Sequence, residues 1–475
     1  MVPLCVDLDG TLVRTDTLDE SFLGAIRRDP LSLSRVPGWL AGGRAQLKRQ
    51  LAEAAPPRPE GLPYNEELLA YLREQRASGR RVVLATAADG EIADAVAAHA
   101  GCFDEVIASR NGTNLKGRAK RDELCRRFGE KGFDYAGDSP ADLEVWAGAR
   151  EAILVGVTDS TRRAVQALGV PVTREFREPG ARARAYRKAL RPYQWTKNLL
   201  LFVPLILAHR MFDAAKLASV LQAFAAFSLA ASAIYVVNDL LDIEFDRLHP
   251  SKRRRPFASG ALSIRAGIAM VPLLLAGSFA ASWGLPGGFF AILTLYLIAT
   301  TAYSVALKRM AMLDVLTLAL LYTLRVIAGG VAAGVRVSPW LLGFSIFIFF
   351  SLSLVKRVSE IRLREGDPST FLPGRGYRYG EHILLSIMGV SSGYLASLVL
   401  ALYVQSPEVA RLYAHPEWLW PSCPVVLFWV SRVWLLASRG EMPDDPILFA
   451  LRDRVSYATL ACMGLLIAAA TRGFA

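Results

Sequence analysis

Hydrophobic and polar positions follow two different patterns along the 475-residue chain. Up to about residue 185, short apolar runs of strand length alternate with amphipathic stretches that have helical periodicity. From about residue 197 onward, mostly apolar stretches of roughly 17 to 25 residues recur between short polar gaps, and a bilayer core requires helices of about this length. The pattern predicts a soluble α/β domain followed by an all-α polytopic membrane domain.

Three predicted strands in the first third of the chain end in acidic or hydroxyl residues. They are the apolar parts of PLCVDLDGT, RRVVLATAADG and FDYAGDSPAD, and helical patterns lie between them. Strands that alternate with helices indicate a parallel sheet, in which ligands bind at the carboxyl ends of the strands. The polar side chains expected at that edge are Asp7, Asp9, Thr86, Asp138 and Asp142.

These residue types indicate phosphoryl chemistry. A carboxylate such as Asp7 can accept a phosphoryl group as an aspartyl-phosphate, and Asp9, two residues later, can act as acid and base. Gly10 allows the backbone to turn tightly around a phosphate. Asp138 and Asp142 could hold Mg²⁺ together with the first carboxylates, since Mg²⁺ prefers oxygen ligands.

The order DLDGT, Thr86, a lysine and GDSPAD resembles the motifs of the haloacid dehalogenase (HAD) superfamily, in its phosphoserine-phosphatase-like branch. The resemblance implies a Rossmann-like α/β HAD fold over residues 1–180 with a helical cap at about 16–78. It also implies that the domain is a magnesium-dependent phosphatase. The alternative is a degenerate HAD fold kept as a scaffold, and the intact motifs favour the working enzyme.

Residue roles follow from that resemblance. Asp7 would be the nucleophile and Asp9 the acid and base, while Thr86 and a lysine would bind the phosphate. Lys116 and Lys120 both fit the lysine position, and Lys120 is favoured because it begins the helix that leads to the third strand. The Mg²⁺ ligands of this domain would be Asp7, Asp9, Asp138 and Asp142.

A basic linker at 181–196 precedes the membrane domain, which is predicted to occupy 197–475. Its nine predicted spans are 195–210, 217–239, 266–285, 288–306, 313–333, 339–356, 383–405, 420–437 and 456–471. The first is the weakest, because it is short and contains Pro204. About 17 Lys and Arg residues flank the loops on the side of the N-terminal domain, against about 5 on the other side. This asymmetry predicts a multi-pass protein of the inner (plasma) membrane with a cytoplasmic N-terminal domain and an external C-terminus.

Three acids end the second predicted span. NDLLDIEFD places Asp239, Asp242 and Asp246 at i, i+3 and i+7, which is one face of a helix. Carboxylates so close together would repel unless cations lie among them, and Mg²⁺ commonly bridges carboxylates and a diphosphate. KRRR at 252–255 adds charge for binding anions. The alternatives are a solvated helix end for the acids and a topology anchor for KRRR.

The net charge of +12 fits anionic lipid and the loop asymmetry. Nucleic acid is not an expected partner, because no aromatic-basic recognition fold accompanies the basic residues. Arg325 lies near the middle of a predicted span, where an arginine is costly unless it is functional or paired. It is expected to bind substrate or to pair with an acid of the site.

NDxxDxxxD followed by KRRRP resembles the UbiA superfamily of intramembrane transferases, over about residues 187–471. The resemblance implies a bundle of about nine helices in which Mg²⁺ and aspartates hold a diphosphate. Aromatic prenyltransferases of this superfamily carry a second DxxxD, whereas here only Asp314 is present and Leu318 stands at the second acidic position. This departure argues against ordinary transfer from a prenyl diphosphate.

Five blocks together resemble a narrower branch, the decaprenyl-phosphate phosphoribosyltransferases. They are RPYQWTKN, NDLLDIEFDRLHPSKRRRPFASG, YSVALKRMAMLDVLTLALLYTLRVIAGGV, VKRVSEI and DDPILFALRDRVSY. The resemblance implies transfer of ribose 5-phosphate from phosphoribosyl pyrophosphate to a polyprenyl phosphate. Residues expected to bind these substrates are Gln194, Trp195, Lys197, Asn238, Lys252, Arg255, Lys308, Asp314, Arg325, Lys356 and Arg357. For the tryptophan, a place in the interfacial aromatic belt is an equal alternative.

The two halves are complementary in their chemistry. Phosphoribosyl transfer leaves a 5′-phosphate on a lipid-linked sugar, and a phosphatase could remove it. The sequence therefore predicts a bifunctional enzyme. Its rivals are a UbiA-type prenyltransferase with an aromatic acceptor and a non-catalytic membrane scaffold.

Overall fold

The first third of the chain forms one six-stranded parallel sheet. This computed structural model describes every residue except 42, 111–112, 177–180, 364–366, 373, 444 and 473–475. The strands are β1 (Leu4–Val6), β2 (Val82–Asp89), β3 (Glu105–Ser109), β4 (Asp134–Gly137), β5 (Ala152–Val155) and β6 (Val172–Phe176). The three apolar runs of the sequence coincide with β1, β2 and β4, which confirms the predicted α/β domain.

The strand order places the motif-bearing strands side by side. It is β3-β2-β1-β4-β5-β6, and all neighbours are parallel. The chain runs outward from β1 to β2 and β3 and then returns to the other side of β1 at β4. Ligands bind at the carboxyl ends of strands where the order reverses in this way. Asp7 and Asp138 follow β1 and β4 at that point.

Nine helices accompany the sheet in this part of the described chain. They are α1 (Thr17–Arg28), α2 (Val36–Ala41), α3 (Arg44–Ala54), α4 (Glu66–Ala77), α5 (Gly90–Ala100), α6 (Arg118–Phe128), α7 (Leu143–Gly148), α8 (Asp159–Ala167) and α9 (Ala181–Leu190). α1 to α3 form the helical segment between β1 and β2 where the sequence predicts a cap. Leu68, Leu69 and Leu72 of α4 are instead buried in the core of the sheet, so α4 belongs to the α/β layer.

The remainder of the chain is helical, as the apolar stretches predict. Its helices are α10 (Val203–Leu207), α11 (Ala214–Leu241), α12 (Ile243–Leu248), α13 (Ile264–Ala281), α14 (Gly287–Val305), α15 (Leu313–Ala333), α16 (Pro339–Arg362), α17 (His382–Val404), α18 (Pro407–Leu412), α19 (Ser422–Ser438), α20 (Pro446–Ala450) and α21 (Arg454–Arg472). Within the described residues, eight helices are long and apolar enough to cross a membrane: α11, α13 to α17, α19 and α21.

The first predicted span, 195–210, does not form a helix of spanning length. Pro192–Phe202 is a 3-10 helix, and α10 after it has only five residues. Pro204 lies in the first turn of α10, and because proline has no amide hydrogen it cannot continue an α-helical ladder from the preceding turn. The eight spans of the described chain therefore begin with α11.

The chain divides into two compact units. One comprises Met1–Leu190 and Tyr235–Pro272, and the other comprises Arg191–Ile234 and Leu273–Ala475. The acidic segment at the end of α11 thus packs in the same unit as the α/β sheet. The predicted domain boundary at residue 180 lies outside the described residues, and the predicted domain limits stay predictions.

Candidate functional site

The loop after β1 brings carboxylates from two strands together. The Asp7 amide donates to the carbonyl oxygen of Ala136 at 3.0 Å, which holds the loop beside the end of β4. Gly10 has φ +77°, and a β-carbon there would lie 2.2 Å from Oδ2 of Asp138. Glycine is required because any side chain would collide with that carboxylate. The DLDGT motif and the GDSPAD motif therefore meet at this glycine.

Lys120 is buried against the same acids. Its Nζ lies 2.9 Å from Oδ2 of Asp7 and 3.8 Å from Oδ1 of Asp142, and it donates to the Tyr135 hydroxyl at 2.9 Å. Burial disfavours the ammonium ion, but the two carboxylates outweigh burial and raise the pKa of Lys120. Lys116 is exposed. Of the two lysines that fit the motif, the geometry favours Lys120.

Asp9 and Thr86 are both held by backbone amides. Oδ1 of Asp9 accepts from the Thr17 amide at 2.8 Å, at the start of α1. Burial, together with the charge of Asp16, raises the pKa of Asp9 to about 7. Thr86 is fully buried in β2, and its Oγ1 accepts from the Ala88 amide at 3.0 Å.

Three carboxylates of this site fit a divalent cation. Asp7, Asp138 and Asp142 each present one oxygen, and these oxygens lie within 4.8 Å of one another. Burial and mutual repulsion raise the pKa of Asp7 to about 6 and that of Asp138 to about 8. A bound cation would relieve this repulsion, and an all-oxygen donor set suits Mg²⁺. Asp9 is not part of this cluster of close oxygens.

These groups line an open cavity of about 1350 Å³. Its wall includes Asp7, Asp9, Lys120, Asp138 and Asp142. Thr86 is not on the wall, although Ala87 and Ala88 are. The cavity also includes Lys48 of α3, a cation that sequence reasoning missed, whose Nζ donates to the Ala87 carbonyl at 2.7 Å. No motif marks this lysine, because only the folding of the helical segment brings it here.

We expect Lys120→Met to destabilise the α/β unit by about 3–5 kcal/mol, because it leaves buried carboxylates without their counter-charge. Lys116→Met removes an exposed lysine of the same segment and is the matched control, with an expected change within about 0.5 kcal/mol. Hydrogen exchange of the β1 and β4 amides in the full-length protein measures both changes. Equal effects of the two substitutions would contradict the assignment of Lys120 as the lysine of the HAD site.

The acids at the end of α11 converge on one arginine. Nη1 of Arg255 lies 3.2 Å from Oδ1 of Asp239 and 2.6 Å from Oδ2 of Asp246. Both carboxylates are buried, and burial raises the pKa of Asp246 although Arg255 opposes this shift. In this cluster the motifs NDxxDxxxD and KRRR are in direct contact. The sequence shows only that the two motifs are close along the chain.

The predicted single helix through these acids is interrupted at Asp242. α11 ends at Leu241 and α12 begins at Ile243, so Asp242 takes the N-cap position between them. The Asp242 and Asp246 amides still donate to the carbonyl oxygens four residues earlier, at 2.9 and 2.8 Å. Because the path stays close to helical, the interruption leaves Asp239 and Asp246 on a common side.

Arg247, next to Asp246, links this segment to α1. Its guanidinium donates to both carboxylate oxygens of Glu20, at 2.6 and 3.1 Å, and both side chains are less than a tenth exposed. A second pair, Arg27 with Glu244 at 2.5 Å, joins the same two helices at the surface. The segment that carries the acids is therefore fixed to the helix that follows the DLDGT loop.

We expect Arg247→Met to destabilise the α1–α12 contact by about 3–5 kcal/mol, since it leaves Glu20 buried without its partner. Arg27→Met, the control, breaks an exposed pair and should cost at most about 1 kcal/mol. Hydrogen exchange of the α12 amides reports both values. A larger effect from Arg27→Met than from Arg247→Met would show that the buried pair of Arg247 and Glu20 does not hold α12 against α1.

In the second unit, Arg357 is fully buried in a structural network. Its Nε lies 2.8 Å from Oδ2 of Asp314, and its Nη1 contacts Glu360. Asp314 also accepts from the Tyr303 hydroxyl at 2.9 Å. Arg357 and Asp314 therefore form a buried ion pair, and their predicted role in binding substrate stays a prediction.

Lys197 pairs with an acid that sequence reasoning did not single out. Its Nζ lies 2.5 Å from Oδ2 of Asp445, and both side chains are mostly buried. Burial works against the carboxylate, yet Lys197 and Lys356 outweigh it and lower the pKa of Asp445. The signal was present in the block DDPILFALRDRVSY, where an aspartate before proline and an apolar run is typical of a helix cap.

Arg325 has neutral partners. Its guanidinium donates to Oδ1 of Asn198 at 2.9 Å, to the Leu321 carbonyl at 2.7 Å and to the Tyr296 hydroxyl at 3.1 Å. Among the residues that the structure describes, Arg325 thus has no acidic partner, which was one of the two expectations for it. Asn198 was missed, although it ends the block RPYQWTKN.

The other predicted binding residues lie in different local settings. Trp195 donates from its indole to Oγ of the buried Ser232 at 3.0 Å, so its polar atom is satisfied inside the protein. The remaining predicted binding residues are all half-buried. They are Gln194 in the 3-10 helix, Asn238 in α11, Lys252 at the start of KRRR, Lys308 before α15 and Lys356 in α16.

Comparisons with known proteins match two parts of the chain to two families. Residues 4–146 match the haloacid dehalogenase-like hydrolases, and residues 199–452 match the UbiA prenyltransferase family. Both are enzyme families, one of hydrolases and one of transferases. The UbiA match covers more than half of the chain.

Three relatives show how much of the chain is shared. An uncharacterized protein of Sinorhizobium fredii, y4nM, is 39% identical over 99% of this chain and 90% of its own length. The nodulation protein NoeC of Azorhizobium caulinodans is 38% identical over 59% of this chain and 91% of its own length. The decaprenyl-phosphate phosphoribosyltransferase of Mycobacterium tuberculosis is 32% identical over 59% of this chain and 93% of its own length. The chain is an integral membrane protein that belongs to the UbiA prenyltransferase family and carries an N-terminal haloacid dehalogenase-like domain.

Proposed function

We propose that the protein transfers ribose 5-phosphate from phosphoribosyl pyrophosphate to a polyprenyl phosphate and then removes the 5′-phosphate at its HAD site. The observation that carries the transferase half is the convergence of Asp239 and Asp246 on Arg255. Acids and a guanidinium so placed suit a metal-bound diphosphate. Relatives named phosphoribosyltransferases, 32% identical over most of their length, support ribose 5-phosphate as the transferred group.

In the transfer step, an oxygen of the lipid phosphate attacks C1 of the ribose while the bond from C1 to the pyrophosphate oxygen breaks. The pyrophosphate leaves with the bonding electrons. Asp239, Asp242 and Asp246 would hold Mg²⁺, which neutralises the leaving diphosphate. The lipid phosphate is already anionic, so this step needs no base. It needs cations to bind beside another anion, and Lys252 and Arg255, which lie in the same compact unit as the acids, are candidates.

Transfer of a prenyl group to an aromatic acceptor is the second candidate, because the family is named for it. Leu318 counts against this reaction. It lines a small cavity with Tyr322, Lys356 and Ile447 at the position where those enzymes have a second acid. Among the described residues that line this cavity there is no carboxylate, which counts against a second metal ion there.

At the HAD site, Asp7 would attack the phosphorus and form an aspartyl-phosphate. Asp9 would protonate the ribose oxygen that leaves, and would then take a proton from the water that hydrolyses the intermediate. Lys120 would neutralise the phosphoryl oxygens. Asp7, Asp138 and Asp142 would hold Mg²⁺, which offsets the charge of the phosphate. The products are inorganic phosphate and a ribosyl lipid.

Both activities would lie on the cytoplasmic side of the inner membrane, with the C-terminus outside. The Lys and Arg asymmetry of the loops supports this orientation. Joining the two sites in one chain raises the effective concentration of the phosphatase for the first product.

The test uses vesicles that contain the full-length protein, Mg²⁺, polyprenyl phosphate and phosphoribosyl pyrophosphate labelled in the ribose. We expect label in the lipid fraction, followed by loss of the 5′-phosphate. Absence of label in the lipid would refute the phosphoribosyl transfer. Label that enters the lipid but keeps its phosphate would refute the phosphatase step alone. Transfer from a labelled prenyl diphosphate to an aromatic acceptor would support the second candidate.

A further inference from the structure

The wall of the HAD cavity includes a segment from far along the chain. Residues 260–263 and 265–266 line the same cavity as Asp7 and Asp9. This segment joins the KRRR stretch to α13, one of the candidate membrane spans. One wall of the cavity is therefore the beginning of a helix that is apolar enough to enter a bilayer.

The segment is fixed to the catalytic loop by its backbone. Gly260 has φ +72°, and a β-carbon there would lie 2.4 Å from the carbonyl oxygen of Arg14. Only glycine allows this approach, so the segment packs directly on the loop that follows DLDGT. The buried pair between Glu20 and Arg247 holds the same two parts of the chain together nearby.

Arg265 lies on this wall, and its two contacts with aspartates leave hydrogen-bond donors of its guanidinium available. Its Nη2 lies 2.6 Å from Oδ2 of Asp16, and its Nε donates to Asp19 at 2.9 Å. The two carboxylates orient the guanidinium. Nη1 makes no hydrogen bond to any residue that the structure describes, and 64% of the side chain is exposed. The arginine can therefore bind an anion in the cavity while the aspartates hold it in place.

The position of Arg265 coincides with the side on which the leaving group must lie. Asp9 accepts from the Thr17 amide, and the residue before Thr17 is Asp16, the partner of Arg265. In the proposed reaction Asp9 protonates the oxygen that leaves phosphorus, so the sugar extends past Asp9 toward Asp16 and Arg265. A sugar that carries a second anionic group would place that group near the guanidinium.

We propose that Arg265 binds the phosphodiester that joins the ribose to its lipid, which makes the HAD site selective for a lipid-linked ribose 5-phosphate. This inference rests on the proposed phosphatase function and names its substrate class. The membrane-entering helix that carries Arg265 explains how the lipid stays in the bilayer while its headgroup reaches Asp7. The cap alone does not supply this contact, since the arginine comes from the transferase part of the sequence.

The test compares three substrates of the full-length protein in detergent micelles. They are free ribose 5-phosphate, its 1-(methyl phosphodiester) and its 1-(farnesyl phosphodiester), and release of inorganic phosphate is measured. We expect the wild type to prefer both phosphodiesters. Arg265→Ala should raise KM for both by about 10-fold to 100-fold, with kcat and the KM for free ribose 5-phosphate within about twofold.

Arg265→Lys should recover part of the affinity, because it keeps the charge. Arg81→Ala is the matched control. Arg81 forms an exposed ion pair with Glu105, with 2.7 Å between Nη2 and Oε2, and it is not part of the cavity wall. Equal losses on all three substrates would overturn the proposal, because they indicate a structural role. An unchanged Arg265→Ala enzyme, or a wild type without preference for the phosphodiesters, would also overturn it. No phosphate release from any substrate would instead refute the phosphatase function itself.

Discussion

Asp239→Asn is expected to lower the transfer of labelled ribose 5-phosphate to lipid by about 10³-fold or more, because it removes a charge that holds the metal-bound diphosphate. The asparagine has nearly the same shape as the buried aspartate, and Arg255 keeps its 2.6 Å contact with Asp246. The fold should therefore survive. Transfer is measured as label in the lipid fraction of vesicles that contain the full-length variant.

Two controls separate chemistry from folding. Asp213→Asn changes the aspartate before α11, whose Oδ1 accepts from the Lys216 amide, and asparagine can cap a helix equally well. It should transfer label at the wild-type rate. Asp239→Asn should also hydrolyse free ribose 5-phosphate within about twofold of wild type, since Asp239 is not among the residues that line the HAD cavity. Normal transfer by Asp239→Asn would exclude this acid from the donor site.

The sequence predicts the α/β half well because its signals are local. β1, β2 and β4 each combine an apolar run with a polar strand end, and strand alternation determines where those ends meet. Asp7, Asp138 and Asp142 can thus be grouped from the sequence alone, and the meeting of Gly10 with Asp138 agrees with that grouping. Thr86 lies within β2 and not at its end, so its predicted contact with the phosphate stays a prediction.

In the membrane half the spans are predictable and the partners are not. Hydropathy locates the eight long helices, α11, α13 to α17, α19 and α21, because bilayer thickness sets the length of an apolar helix. It fails at 195–210, where a 3-10 helix and the five-residue α10, with Pro204 in its first turn, replace a spanning helix. The roles of Asn198 and Asp445 could not be predicted for another reason. Their partners, Arg325 and Lys197, lie more than a hundred residues away, and only packing of distant helices brings them together.

The contact between the acidic segment and the sheet unit is the least predictable feature. Glu20 and Arg247 look like ordinary surface charges in the sequence, and Arg265 looks like a positive topology residue at the start of a span. Folding buries the first two and places the third on the cavity wall. A prediction of two independent domains thus misses that the segment before α13 completes the cavity of the HAD domain.

Asp7→Asn is expected to abolish removal of the 5′-phosphate, with a loss of about 10⁴-fold or more, because Asp7 is the carboxylate proposed to form the phosphoryl-enzyme. The substitution keeps the side-chain shape. Lys120 loses its charged partner at 2.9 Å but retains the Tyr135 hydroxyl. Transfer at the membrane site should continue. The labelled product should therefore accumulate as the lipid-linked ribose 5-phosphate, which is measured by chromatography of the lipid fraction before and after phosphatase treatment.

Asp122→Asn is the control for this substitution. It changes a largely exposed aspartate of α6 whose ion pair with Arg118 is long, at 3.9 Å. The variant enzyme should therefore convert the product like wild type. The combined result distinguishes the coupled enzyme from two unrelated domains. If Asp7→Asn vesicles release phosphate normally, the HAD site acts on something else. If they stop releasing phosphate and accumulate the phosphorylated lipid, the acids of the 239–246 segment and the HAD site act in sequence on one molecule.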